Sequence, residues 1–193
     1  MSQEKIDKFS EELKLQLQII GIFIAIFWGV EIIDQAIFAH RLDYFGIIPR
    51  NLTGLRGVIL SPFLHADFGH LLANTFPFII LGWFVMLQRT SDFFTVSLYS
   101  MLSSGLGVWL FASPGSVTVG ASGVIFGYLG FLMFRGYFQR NIPSIALSLL
   151  VIFLYGGMIW GVLPSNPHVS WLAHLSGFVG GVWTAKMIAQ KKF

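Results

Sequence analysis

The sequence contains no cysteine, and charged residues make up only 11% of its 193 residues. The missing thiols exclude disulfide bonds, thiolate nucleophiles and cysteine metal sites. No acidic residue follows Asp92, and from there to Lys186 the only basic residues are Arg135 and Arg140. The net charge of +3 is spread over several loops, which indicates membrane orientation rather than nucleic-acid binding.

Apolar residues are abundant instead. Hydrophobic side chains account for 55% of the chain, and they include twenty Phe and six Trp. A soluble domain of this length cannot bury so much apolar surface. We therefore predict an all-α polytopic membrane protein that lies in a lipid bilayer.

Six apolar segments are each close to the ~20 residues that a helix needs to cross a bilayer. The predicted transmembrane helices are residues 17–38, 68–88, 92–112, 120–138, 142–164 and 169–187. They predict a membrane domain over 17–187, a short cytoplasmic N-terminal segment at 1–16 and a cytoplasmic tail at 188–193. The N-terminal segment mixes acids with bases and has no small-residue cleavage site, which is typical of a retained helix rather than a signal peptide.

The distribution of Lys and Arg predicts that both termini are cytoplasmic. With the N-terminus inside, nine basic residues lie on the cytoplasmic side and three, Arg41, Arg50 and Arg56, lie outside. The short cytosolic ends favour a bacterial cytoplasmic membrane, with a mitochondrial inner membrane as the alternative.

The first loop, residues 39–67, is too long and too apolar to be a free linker. We predict a compact insertion in the membrane interface, with Tyr44, Phe45 and Phe63 among its anchors. His65 is expected to order this loop through hydrogen bonds; a zinc site is the alternative, which no nearby Cys or Glu completes.

Acidic residues lie near both helices that flank this loop. Asp67 is expected to cap the second helix. Glu31 and Asp34 in the first helix are costly at this depth, so we expect them to face the first loop or the interface and to pair with an arginine. A proton relay is the alternative role for these two carboxylates.

Four polar residues from three helices fall at one depth near the outer surface. Ser122 lies in the first turn of the fourth helix and His174 about a turn and a half into the sixth, which puts the two within ~5–10 Å of the same depth. His70 and Asn74, at positions i and i+4, share one face of the second helix. Polar groups are costly in hydrocarbon, so this convergence predicts a functional site.

These residue types suit nucleophilic catalysis. A serine hydroxyl attacks well when a base takes its proton, and histidine is the usual base near neutral pH, so we predict Ser122 as nucleophile and His174 as base. His70, the Asn74 amide and the backbone N–H of Ser122 are candidate donors to an oxyanion. Apart from Asp92, at the cytoplasmic start of the third helix, helices two to six contain no carboxylate. The sequence therefore predicts a Ser–His dyad, without a third member, a metal or a cofactor.

Glycines supply the close packing that such a dyad requires. Gly123 and Gly127 lie on one face of the fourth helix, and Gly177 and Gly181 form a GxxxG pattern in the sixth. Small residues of this kind allow two membrane helices to approach closely. Phe126, one turn after the serine, is expected to pack its ring on the imidazole.

Three motifs resemble those of the rhomboid intramembrane serine proteases: HADFGHLLAN, GASG and AHLSGFVGG, in the second, fourth and sixth helices. The resemblance covers about residues 17–187 and implies a six-helix rhomboid-like bundle with a long interfacial first loop. It implies that Ser122 is the nucleophile, that His174 is the base, and that His70 and Asn74 stabilise the oxyanion. It also implies that the fifth loop caps a water-filled site, that the fifth helix borders the substrate entry, and that transmembrane proteins are the substrates.

Two positions depart from the family pattern. Family members often carry Tyr where this chain has Phe126, which keeps a stacking ring and loses the hydroxyl. The first loop of the family usually carries a Trp-Arg pair, whereas here Leu55 precedes Arg56, the candidate anchor of the loop.

The sequence is also compatible with other interpretations. A serine at a helix start often bonds its own helix, and a membrane histidine often joins two helices. A non-proteolytic rhomboid-like binder of transmembrane segments is one competing function, although such relatives typically lack the serine or the histidine. A small transporter or proton channel is another, and the absence of a visible repeat disfavours it.

Overall fold

The computed structural model describes residues 3–164 and 169–190, and within these ranges the chain is mainly helical, with no β-strand. The helices are α1 (Gln3–Ile33), α2 (Gly57–Leu60), α3 (Phe68–Met86), α4 (Thr90–Phe111), α5 (Ser122–Gln139), α6 (Ile142–Tyr155) and α7 (Trp171–Gln190). Helix α2 is a single turn in the first loop. The other six are the helices that the sequence predicts.

Two of the six differ in extent from their predicted ranges. Helix α1 begins at Gln3, because the polar N-terminal residues continue the same helix, and it ends in a π-helical turn over Asp34–Phe38. The fifth predicted helix, 142–164, is α-helical only to Tyr155 and continues as a 3-10 helix over Gly156–Val162. Two consecutive glycines at this change weaken the α-helical preference. The remaining boundaries agree within a few residues.

Four segments within the described ranges are long and apolar enough to cross a membrane: Gln3–Phe38, Phe68–Met86, Thr90–Phe111 and Ile142–Val162. Helices α5 and α7 are not among these four, because several glycines and polar residues lower their hydropathy. Helix α5 is instead enclosed by α3, α4, α6 and α7. The protein is therefore an integral membrane protein built as a helical bundle around α5.

Helices α5 and α7 form the most extensive contact in the bundle. A Cβ atom added at Gly177 would collide with the carbonyl of Gly123, and one added at Gly181 would collide with the carbonyl of Gly127. The two glycine pairs thus bring the backbones of α5 and α7 into direct contact.

The first loop is folded against the outer end of α4 rather than extended. Trp109 Nε1 donates to the carbonyl of Asn51 at 2.9 Å. Arg56 Nη2 donates to the Tyr44 carbonyl at 3.0 Å, and its guanidinium lies over the Phe45 ring at 4.3 Å from the centroid. Arg56 therefore joins two parts of the loop.

The prediction for His65 is wrong. The side chain is 1% exposed, and neither ring nitrogen has a hydrogen-bond partner in the described part of the chain. The ring instead packs against Phe27 and His70, with centroid distances of 5.6 and 5.3 Å. Burial and the neighbouring His70 lower the pKa of His65 to about 3, so the ring is neutral and acts as an aromatic packing group.

The prediction that Glu31 and Asp34 pair with an arginine is also wrong. Both side chains are buried, at 1% and 2% exposure. Glu31 Oε1 accepts from Gln35 Nε2 at 2.6 Å, and Asp34 Oδ1 accepts from the Leu42 N–H at 3.0 Å. No arginine forms an ion pair with either carboxylate over residues 3–164 and 169–190. The polar groups of the π-helical turn and of the loop replace the predicted cation.

Asp67 caps α3 as predicted and accepts the His70 N–H at 2.7 Å.

A buried ion pair lies at the other end of the bundle. The Arg135 side chain is 0% exposed, and its Nη2 lies 2.9 Å from Asp92 Oδ2. The same guanidinium donates to Gln88 Oε1 and to the Val85 carbonyl. It therefore ties α5 to the end of α3 and the start of α4.

Candidate active site

Ser122 is the first residue of α5 and is partly exposed. The preceding Gly120 has a φ of +114°, a conformation that glycine adopts without strain, and its N–H donates to the Ser61 carbonyl at 2.8 Å. The first N–H groups of a helix have no intrahelical acceptor. The turn thus presents a hydroxyl and free backbone donors together.

Ser122 lines a cavity of about 1160 Å³. The other residues predicted for the site line the same cavity: His70, Asn74, Phe126 and His174. Residues of α3, α5, α7 and the segment that precedes α5 line it, together with others from the first loop, α4 and the segments between α6 and α7. The cavity therefore gathers the polar side chains that the sequence assigns to one depth.

His174 lies on α7 and is 7% exposed. The Phe126 ring stacks on its imidazole, with centroids 4.0 Å apart and an interplanar angle of 8°. His174 Nδ1 lies 2.8 Å from the carbonyl oxygen of Gly161. Because a carbonyl only accepts, Nδ1 must carry the proton, and the neutral ring keeps its lone pair on Nε2.

His70 and Asn74 approach the start of α5 from α3. A Cβ atom added at Gly120 would lie 2.7 Å from His70 Nε2 and 3.6 Å from Asn74 Nδ2, so both nitrogens are directed at the turn before Ser122. His70 Nδ1 is the acceptor of a long 3.5 Å contact from the Ala66 N–H, which favours the proton on Nε2. The two histidines therefore hold opposite tautomers. Nε2 of His174 is an acceptor, and Nε2 of His70 is a donor.

The Asn74 amide is the most informative group of the site. The residue is 5% exposed, and Nδ2 has no acceptor in the described ranges. A buried donor without an acceptor costs about 1–3 kcal/mol, so such groups in folded proteins usually have a functional reason.

No hydrogen bond joins Ser122 to His174 among the described residues, although their neighbours touch. A Cβ atom added at Gly123 would lie 3.3 Å from the carbonyl of Ala173. In structures without substrate, catalytic hydrogen bonds are often long and tighten only when the substrate binds. The structure thus brings the two residues to one cavity without closing the contact between them.

The Gly161 carbonyl could not be predicted from the sequence. Every residue has a backbone carbonyl, so residue type does not single this one out, and its position depends on the 3-10 turn after α6. The close spacing of glycines at 156, 157 and 161 is the one signal that could have singled out this segment. Residues 165–168, which belong to the predicted capping loop, lie outside the described residues.

In the part of the chain that the structure describes, one group of side chains has a geometry that suits a metal ion. Ligand atoms of Asp34, His40 and Asp43 all lie within 4.8 Å of one another, and none of the three residues lines the cavity. Acidic groups of this kind are common in proteins without a metal, so we assign none.

The bundle and its cavity define a class of protein, a helical integral membrane protein with a polar site among its helices. The Rhomboid domain family model matches residues 53–191, and this chain belongs to the rhomboid family. The uncharacterized protein Rv1337 of Mycobacterium tuberculosis (strain H37Rv) is 42% identical over 86% of this chain and 72% of its own length. YdcA of Bacillus subtilis is 30% identical, over 69% of this chain and 68% of its own. RHOMBOID-like protein 1 of Arabidopsis thaliana is 34% identical, over 61% of this chain and 30% of its own.

Proposed function

We propose that this protein is an intramembrane serine endopeptidase that cleaves transmembrane or membrane-adjacent segments of other membrane proteins. Membership of the rhomboid family supports the class of activity, and the Bacillus subtilis relative is provisionally named a rhomboid protease. The observation that carries the proposal is the buried Asn74 amide, which lacks an acceptor in the described chain and points with His70 at the turn before Ser122.

The proposed reaction begins with attack of Ser122 Oγ on the scissile carbonyl carbon. His174 Nε2 takes the hydroxyl proton, and the former carbonyl oxygen becomes an oxyanion. The N–H groups of His70 Nε2, Asn74 Nδ2 and the Ser122 backbone donate to this oxyanion. The His174 imidazolium then protonates the amine as the C–N bond breaks, and water hydrolyses the acyl ester with His174 again as base.

The substrate must unwind locally, because a helix hides the carbonyl groups of its own backbone. We therefore expect small or helix-breaking residues near the cut. Phe126 stacks on His174 and fixes the plane of the imidazole, while the glycine pairs of α5 and α7 hold nucleophile and base at one depth.

The proposed membrane topology follows the distribution of basic residues. The segment 1–16 and the tail 188–193 flank the membrane domain 17–187 on the cytoplasmic side, and the site faces the extracytoplasmic side. Relatives in Mycobacterium and Bacillus support a bacterial cytoplasmic membrane.

The test is labelling of the purified protein in detergent by a fluorophosphonate, which reacts with activated serines. We expect the wild type to be labelled, and Ser122→Ala and His174→Ala to lose labelling at least about a thousandfold, because members of a catalytic unit fail together. Ser116→Ala is the matched control, since Ser116 lines the same cavity and, within residues 3–164 and 169–190, its hydroxyl donates to the Ser113 carbonyl alone.

Labelling of Ser122→Ala at the wild-type rate would contradict the assignment of the nucleophile. A folded wild type that is not labelled would instead favour the non-proteolytic binder of transmembrane segments.

A further inference from the structure

We propose that the backbone carbonyl of Gly161 is the third member of the catalytic group, a positioning group that keeps the His174 base in its active tautomer. The proposal rests on the proposed function, since it assigns a partner to the proposed base. It also gives the 3-10 segment Gly156–Val162 a direct role at the site.

The contact has the geometry that this role requires. Gly161 O lies 2.8 Å from His174 Nδ1, a normal hydrogen-bond length. The bond holds the proton on Nδ1 and leaves Nε2 free to accept the serine proton. Once Nε2 is protonated, the carbonyl dipole at Nδ1 also stabilises the positive charge of the ring.

No carboxylate takes this role among the described residues. Asp67 is the one acidic residue that lines the cavity there, and its carboxylate accepts the His70 N–H as the cap of α3. In a Ser–His–Asp triad the carboxylate holds the imidazole in the correct tautomer. A peptide carbonyl performs the same orienting task with a smaller charge.

Glycine is required at position 161 for this contact. An added Cβ atom would lie 2.7 Å from Phe126 Cζ and 3.5 Å from His174 Nδ1. The Phe126 ring is stacked on the imidazole and cannot turn away without uncovering it. A larger residue must therefore displace the segment, and the carbonyl moves with it.

The segment that carries the carbonyl is only lightly held. None of its seven residues is buried, and it packs against α6 and α7. Trp160 is 69% exposed, and an added Cβ at Gly157 would meet nothing within 4 Å. The segment can therefore shift without unfolding the bundle, and a shift lets the His174 proton move to Nε2, where the ring no longer accepts.

The experiment compares Gly161→Ala with Gly157→Ala, two alanine substitutions in the same 3-10 segment. Position 157 has free space for a methyl group, and position 161 has none. We expect Gly161→Ala to lower the fluorophosphonate labelling rate by about ten- to a hundredfold, less than the ~10⁴-fold loss for a triad carboxylate, because a neutral dipole is the weaker partner. Gly157→Ala is expected to stay within about twofold of the wild type by the same argument.

The second readout is the His174 tautomer, measured by ¹⁵N NMR of histidine-labelled protein and assigned with His174→Ala. We expect the Nδ1–H form in the wild type and in Gly157→Ala, and a partial change to the Nε2–H form in Gly161→Ala. A purely structural role of Gly161 would not change the tautomer. This readout needs no substrate, and it uses His174→Ala only to assign the signal.

The Nε2–H form in the wild type would overturn the proposal, as would equal losses of labelling in both glycine variants. A wild type that is not labelled, but whose His174 changes tautomer in Gly161→Ala, would refute the protease assignment and support the Gly161 contact. The two proposals thus fail in different ways.

Discussion

Asp43 in the first loop is partly buried close to two other carboxylates. Its Oδ1 is inaccessible and has no hydrogen-bond partner in the described ranges. Burial, and then the charges of Asp34 and Glu31, raise the pKa of Asp43 from the ordinary value of 3.8 to about 6. The folded protein therefore favours the protonated form of Asp43 more than the unfolded chain does.

The pH dependence of stability follows from this shift. Protonated Asp43 contributes to the free energy of unfolding, and this contribution is fully present below pH 3.8 and is lost as the pH rises through about 6. We expect Asp43→Asn to raise the unfolding temperature at pH 7.5 and to leave it nearly unchanged at pH 4, because asparagine carries no charge at either pH. Thermal unfolding in detergent at a series of pH values measures the difference between variant and wild type.

The exposed Asp7 supplies the control, since Asp7→Asn removes the same kind of charge far from this cluster in sequence. A pH profile for Asp43→Asn that matches that of Asp7→Asn would show that the Asp43 charge does not destabilise the fold.

At the scale of elements, the contact between α5 and α7 decides whether the candidate site exists. The pairs Gly123–Gly177 and Gly127–Gly181 bring the two backbones together. A methyl group at Gly177 or Gly181 meets a backbone carbonyl of α5 rather than a flexible side chain, so the helices themselves must move apart.

We expect Gly181→Ala to destabilise the protein by about 1–3 kcal/mol, the usual cost of overpacking. The matched control is Gly29→Ala in α1, where an added Cβ meets nothing within 4 Å. Alanine there should be neutral or stabilising by about 0.5–1 kcal/mol, because glycine is the weaker helix former. Denaturant unfolding in mixed micelles measures both variants, and equal stabilities would contradict the close contact.

The sequence predicts this element-scale contact in part. The spacing of Gly123 and Gly127, and of Gly177 and Gly181, predicts which faces approach, since helical periodicity fixes the face. It does not predict the register that opposes Gly123 to Gly177. It also does not predict the change to a 3-10 helix at Gly156, because that depends on how the segment meets α7. The Gly161 carbonyl was missed for that reason.

At the scale of the whole molecule, the Arg135–Asp92 pair holds three segments together at the end of the bundle opposite the first loop. Arg135 is fully buried, whereas Asp92 also has the partly exposed Arg89 at 2.9 Å. Loss of Asp92 leaves a buried cation without a counter-ion, but loss of Arg135 leaves Asp92 with its second partner.

We therefore expect Asp92→Asn to cost about 3–5 kcal/mol, the usual effect of stranding a buried charge, and Arg135→Met to cost less. The double variant should recover part of the loss of Asp92→Asn, because the stranded charge is gone. Unfolding free energies of the three variants test the order. An equal cost for both single variants would contradict the asymmetry of the pair.

Sequence patterns also predict the number and type of the long helices, because an apolar segment long enough to cross a bilayer is a strong signal. They fail for polar residues in and beside the first loop. His65, Glu31 and Asp34 all received partners that the structure does not give them. Their contacts depend on how the first loop folds, and the short turns of this loop produce no periodic pattern of apolar residues in the sequence.

The moderate hydropathy of α5 and α7 has a consequence for how the protein is made. Helices enter the bilayer as the chain leaves the ribosome, and each does so readily only if it is apolar enough by itself. Neither α5 nor α7 is among the described segments that meet this condition. Helix α5 must therefore insert by packing against α3 and α4, and α7 by packing against α4 and α5. His174 lies in the last of these helices. A nascent chain therefore carries the candidate nucleophile before it carries the candidate base, and the proposed dyad can form only after α7 has packed against α5.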